Sequence, residues 1–226
     1  MDRISYARIE DYMLSCMQDS AHDKEHIYRV LYNAMIIAEK ESNVDYDVLI
    51  GACLLHDIGR QEQFANPSVC HAEVGAEKAY RFLLEQGFTK EYALQVRSCV
   101  LTHRFRKNRK PESLEAKILF DADKLDVVGA MGIARTLVYN GTLSEPLYSL
   151  LPDGSVSSGE KDSQPSFFHE YKRKLEKLYD HFYTDTAAQM ANERKQIASD
   201  FYESLYREAS VAREFGREAL TRVVHK

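Results

Sequence analysis

Histidine and aspartate carry the chemistry this sequence offers. Of its eight histidines, five (His22, His26, His56, His71 and His103) fall within the first 103 residues. Imidazole and carboxylate groups together can hold a divalent cation or move protons. His56 and Asp57 directly follow the apolar run Ala52-Cys53-Leu54-Leu55. A carboxylate rarely occupies such a place unless it is paired or bound to a cation, because burying an isolated charge is expensive. Asp121, Asp123 and Asp126 likewise interrupt the apolar stretch Ile118–Val128, and at least one should face inward if that stretch packs on a core. The dipeptide His-Asp alone is weak evidence, since chance placement gives roughly half an occurrence where this chain has two. The order of the set says more: a helix-borne histidine, then His-Asp closing an apolar helix, then an aspartate within another.

These groups need helices to position them, and the apolar periodicity is helical almost throughout. Residues 26–40 place Ile27, Val30, Leu31, Ala34 and Ile37 on one stripe, with His26 at its edge. A second helix is expected from about Asp47 to Ile58, stopped by Gly59. Others are expected over about 72–86, 90–104 and onward from Ser113, a plausible N-cap after Pro111. The stretch 141–165 collects three prolines, three glycines and several serines, and reads as a long loop that is either a disordered insertion or a flap over a pocket. After it, 167–183 and 184–210 read as two charged helices. No alternating strand pattern or internal repeat stands out. The expectation is an all-α fold forming one domain over 1–226, with a motif-bearing core at about 20–135 and a helical tail at about 167–215.

Composition narrows the partners. The chain has 226 residues, a net charge of −5 and 44% hydrophobic residues, ordinary for a globular protein. A pI near 5.9 argues against binding a nucleic-acid polymer. No apolar run approaches the roughly 18–20 residues needed to cross a bilayer, and the N-terminus lacks the apolar stretch of a secretion signal. Cys16, Cys53, Cys70 and Cys99 form no C-x-x-C pair and read as free thiols. A cytoplasmic location is the expectation.

Three blocks extend the pattern: His22-Asp23-x-x-His26-Ile27-x-Arg29-Val30, Ala52-Cys53-Leu54-Leu55-His56-Asp57-Ile58-Gly59, and Ile118-Leu119-Phe120-Asp121-Ala122-Asp123-Lys124-Leu125-Asp126 running on to Arg135. In this order they resemble the HD-domain metal-dependent phosphohydrolases, in particular their small stand-alone bacterial branch. The resemblance implies an HD-type helical bundle with a long loop and two C-terminal helices packed on it. It makes His26, His56, Asp57 and Asp123 the ligands of one divalent ion. Two imidazoles and two carboxylates suit a borderline ion such as Mn²⁺, Fe²⁺, Co²⁺, Ni²⁺ or Zn²⁺; Mn²⁺ is the expectation, with Mg²⁺ a further alternative. Asp123 is preferred to Asp121 because it matches the family's A-D-x-L block. Asp121 and His22 are then expected to support ligands from behind. His71 and His103 lie where two-metal relatives place ligands for a second ion, with Asp57 bridging; otherwise they would contact phosphate or shuttle a proton. Lys124, Arg29, Arg60 and Arg135 are candidate phosphate contacts.

The implied reaction is hydrolysis of a phosphate compound, a nucleotide above all. A bound ion would lower the pKa of its water and polarise the attacked phosphoryl group. The resembled branch is associated with cleaving nucleoside triphosphates to monophosphate and pyrophosphate. Nucleotide monophosphate or cyclic-nucleotide hydrolysis, or a non-catalytic nucleotide or metal sensor, are the alternatives. Some family members carry a catalytic glutamate three residues after the HD aspartate. Here that place is Arg60, so the acid serving the leaving group stays open, as does the oligomeric state.

Overall fold

The computed structural model describes residues 1–17, 24–104 and 109–224. His22, residues 105–108 of the basic run 104–110, and His225 lie outside the described residues. The fold is all-α, and the described residues contain no strand beyond an isolated bridge between Leu150 and Val156. No described helix is long and apolar enough to cross a membrane. Contacts gather the chain into two compact units, Met1–Asp126 with Phe182–Ala187, and Val127–His181 with Ala188–Lys226.

The first unit holds α1 (Arg3–Ser15), α2 (Lys24–Ala38), α3 (Tyr46–Leu55), α4 (Arg60–Ala65), α5 (His71–Glu85), α6 (Lys90–Thr102) and α7 (Leu114–Leu125). α3 is its axis, packed against α1, α2, α5, α6 and α7. Val48, Leu49, Gly51, Ala52, Cys53, Leu54 and Leu55 are all buried, so α3 has no polar face and must be wrapped on every side. Its start is fixed by Asp45, whose carboxylate accepts from the Asp47 and Val48 amides. Ser113 caps α7 as expected, accepting from the Ala116 amide. α1 escaped the periodicity reading because it buries only Ile9 and Met13, too thin a stripe to register.

Gly59 does something other than the expected helix stop. α3 ends at Leu55, a turn follows, and Gly59 opens α4. A Cβ there would meet the His71 carbonyl oxygen and the Gly75 amide. The missing side chain therefore lets α5 lie directly against the turn that carries His56 and Asp57.

The second unit contains α8 (Gly129–Thr142), α9 (Phe167–Arg173), a 3₁₀ turn over Leu175–Asp180, and most of α10 (Asp185–Val224). Its core is aromatic, built on buried Phe167, Phe168, Tyr171 and Tyr202 with Ile133, Val156, Leu175 and Ala198. The stretch expected as a loop begins with the end of α8 and continues as a hydrogen-bonded connection, not a disordered insertion. The Ser157 amide donates to the Ser149 carbonyl, and the Phe167 and Phe168 amides to Pro146 and Leu147. The helix expected over 167–183 is broken at Lys174, whose backbone (φ −129°, ψ −61°) is not helical. The helix expected over 184–210 is instead 40 residues long and runs past the expected end of the tail.

Candidate metal centre

Six of the candidate residues converge in the first unit. Ligand-capable atoms of His26, His56 and Asp123 lie within 4.8 Å of one another, as do those of Asp57, His71 and His103. His26 comes from the first turn of α2, and His56 and Asp57 from the turn closing α3. His71 opens α5, His103 follows α6, and Asp123 sits in the last turn of α7.

Asp57 faces both groups. Its Oδ2 lies 3.5 Å from His26 Nε2 and 3.8 Å from His56 Nε2, while its Oδ1 lies 3.3 Å from His71 Nε2 and 3.6 Å from His103 Nε2. Oδ1 is buried and makes no properly formed hydrogen bond. An orphaned buried carboxylate oxygen costs on the order of 1–3 kcal/mol or more unless something positive satisfies it.

Every one of the four imidazoles is tethered through Nδ1. His56 Nδ1 donates to the Cys53 carbonyl at 2.7 Å, and His103 Nδ1 to the Val100 carbonyl at 2.6 Å. His71 Nδ1 donates to Gln63 Oε1 at 2.6 Å, and His26 Nδ1 to Asp126 Oδ2 at 2.7 Å. Each ring thus presents Nε2 to the interior, the arrangement a metal-binding imidazole needs. Nε2 atoms also face each other, at 3.4 Å for His26 and His56 and 3.3 Å for His71 and His103. Two lone pairs so close repel unless a proton or a cation stands between them. The residues fit a divalent ion on both counts, donor chemistry and the unsatisfied Asp57 oxygen.

Electrostatics divides the histidines. Burial pushes the His26 imidazole down, but hydrogen bonds to Asp123, Asp126 and Asp57 outweigh it and raise its pKa to about 10. Burial lowers His56 to about 4 and His71 to about 2. For Asp57, burial acts upward, yet Arg60 and the surrounding histidines hold it well below the usual carboxylate range. Asp123 is likewise held low, by His26 foremost once burial is overcome. In metal-free protein, His26 therefore carries the proton that an ion must displace. Metal uptake is expected to release about one proton, with affinity rising roughly tenfold per pH unit from pH 6.5 to 8.5, below the His26 pKa. Calorimetric titration in buffers of different ionisation enthalpy measures that proton.

Asp121 corrects an expectation. It does not orient a site histidine. Its Oδ2 accepts from the Thr184 amide (2.7 Å) and hydroxyl (2.8 Å), and both oxygens receive the Tyr183 amide. Asp126, five residues on, takes the histidine instead, because that interval turns the carboxylate about 140° around a helical path. Burial raises the Asp121 pKa against these hydrogen bonds. Asp121→Ala, which strands three buried donors, is expected to cost about 2–4 kcal/mol, seen as a melting temperature lower by roughly 5–15 °C.

The candidate cations take varied places. Arg29 pairs with Asp126 (2.7 Å) and Arg60 with Asp57 Oδ2 (3.0 Å), so both serve site carboxylates. Lys124 Nζ stands 4.7 Å from the Phe182 ring centre and 5.9 Å from that of Phe120. Arg135 is on α8, in the second unit. Two residues beside the histidines, Gln63 and Arg104, have no signal in the sequence that assigns them there. Arg104 Nη1 lies 2.9 Å from His71 Nδ1 and 3.2 Å from its Nε2. Neither residue type signals such a role, which only the fold reveals.

The HD domain profile matches residues 24–128. The Bacillus subtilis protein YpgQ, itself uncharacterised, is 33% identical over 192 residues, covering 83% of this chain and 84% of YpgQ. A predicted HD superfamily hydrolase from an uncultured Thermotogales bacterium is 30% identical with a TM-score of 0.59, over 88% of this chain and 90% of that one. The chain belongs to the HD-domain superfamily. A crystal structure of YpgQ in complex with ADP superposes with a TM-score of 0.68 at 28% identity, over 90% of this chain and 97% of YpgQ. The HD-domain match spans the stretch from the start of α2 to just past α7, which contains all six clustered groups.

Proposed function

We propose that this HD-domain chain is a divalent-metal-dependent phosphohydrolase that cleaves a nucleoside triphosphate to monophosphate and pyrophosphate. His26, His56, Asp57 and Asp123 hold the ion, and Mn²⁺ is the ion of choice. The observation that carries this reading is the Asp57 carboxylate, buried, held ionised and faced by four tethered imidazoles. When bound, the ion activates water and polarises the attacked phosphoryl group.

The chain's own residues do the rest. Asp126 and the Cys53 carbonyl fix the two ligand imidazoles before any ion arrives, so little reorganisation is needed. His71 and His103, held through Nδ1, turn Nε2 toward Asp57 Oδ1 and stand where they can contact the phosphate chain. Arg60 brings positive charge to Asp57 Oδ2, beside His26 and His56, and Arg104 brings it to His71 on the Oδ1 side, so an anionic substrate would meet a cation at either group. A nucleotide substrate is supported by the resemblance of the motif blocks and by the ADP complex of YpgQ. A small-molecule substrate in place of a nucleic-acid polymer accords with the acidic charge balance, and a cytoplasmic location is part of this reading.

The test is purified protein with Mn²⁺ and a panel of nucleoside tri-, di-, mono- and cyclic phosphates, resolving pyrophosphate from orthophosphate. Pyrophosphate release, lost in His56→Ala, supports the proposal. Orthophosphate release from monophosphates, or cyclic-nucleotide opening, moves the bond attacked. Thermal stabilisation by nucleotides without turnover makes the chain a sensor and overturns it.

A further inference from the structure

α10 outruns the unit that supports it. Ala198 and Tyr202 are buried in the aromatic core, but from Val211 to Val224 every residue is exposed. Arg213 and Arg217 reach from one side of this segment to the carbonyls of Gly154 and Asp153. The face bearing Val211, Phe215 and Ala219 touches no such partner, with Val211 48% and Phe215 60% exposed.

That face has a pattern. Glu208 and Arg222 stand seven residues to either side of Phe215, and Val211 and Ala219 stand four to either side. Steps of four and seven return to nearly the same face of a helix. A two-fold axis through Phe215 would therefore lay one α10 antiparallel on another with matched partners. Phe215 would meet Phe215, Val211 would meet Ala219, and Glu208 would meet Arg222 at both ends.

We propose that the exposed end of α10 is a self-association surface whose occupant is the same segment of a second copy of this chain, packed antiparallel about Phe215. The self-complementary charges favour a second copy over an unrelated protein or a lipid surface, neither of which requires Glu208 and Arg222 to mirror each other. Isologous contacts of this kind are the commonest route to a closed dimer.

The test is sedimentation equilibrium on the full chain, with circular dichroism to verify helix content, comparing wild type with Glu208→Arg, Arg222→Glu and the double swap. Wild type should be dimeric. Each single reversal puts like charges together at both ends and should weaken the dimer about tenfold. The double swap restores opposite charges and should recover wild-type affinity, and Phe215→Glu should give a monomer of unchanged helicity. A monomeric wild type, a dimer indifferent to these changes, or a double swap no better than either single one overturns the proposal.

Discussion

Asp57→Asn is expected to lower hydrolysis by on the order of a thousandfold or more and to abolish stoichiometric metal uptake. Asparagine keeps the shape of the side chain but removes its charge. The loss is large because Asp57, alone among the carboxylates of the described residues, faces both histidine groups, with Oδ2 toward His26 and His56 and Oδ1 toward His71 and His103. An amide nitrogen at either position cannot ligate. The substitution also leaves Arg60 beside a neutral group where it now pairs with a carboxylate. Steady-state assays with metal analysis of the dialysed protein measure both effects. Retention of a full complement of metal with more than a tenth of wild-type activity would refute the assignment of Asp57.

Asp126→Asn is expected to weaken metal affinity by about 10–100-fold while lowering turnover at saturating metal much less. Asp126 is not itself a proposed metal ligand, but its Oδ2 accepts from His26 Nδ1 and its Oδ1 accepts from Arg29. The carboxylate sets which ring nitrogen carries the proton and makes Nε2 a better donor to an ion. An asparagine can accept through its oxygen but adds no negative charge, so His26 should also surrender its proton at lower pH than in wild type. Metal titrations at fixed pH read the affinity. The proton count on binding should fall below the wild-type value near neutrality, a change that loss of structure alone would not produce.

The helices were legible because their signals are local. α3 is read from an unbroken apolar run, α2 from its stripe, and the start of α7 from Pro111 and Ser113. The break at Lys174 was not, since Glu170, Lys172 and Lys174 are good helix formers and only packing around the aromatic core opposes them. The grouping of the histidines was legible only through the order of the motif blocks; spacing cannot show that rings from α2, the α3 turn, α5 and the end of α6 meet. Among the aspartates, sequence proximity misled. Asp121 and Asp126 are both acids in one apolar stretch, and the orienting task expected of Asp121 falls to Asp126 because the chain around Thr184 returns to α7 and takes Asp121.

That return has a consequence for any attempt to divide the molecule. The first unit is discontinuous: residues 127–181 leave it, and Phe182–Ala187 re-enter to receive Asp121. Ending the polypeptide after Asp126 would keep every metal-facing group yet strip a buried carboxylate of its donors. Excision therefore requires grafting the six-residue strap back, by a circular permutation or a short engineered bridge, and a simple C-terminal deletion should yield a poorly folded fragment.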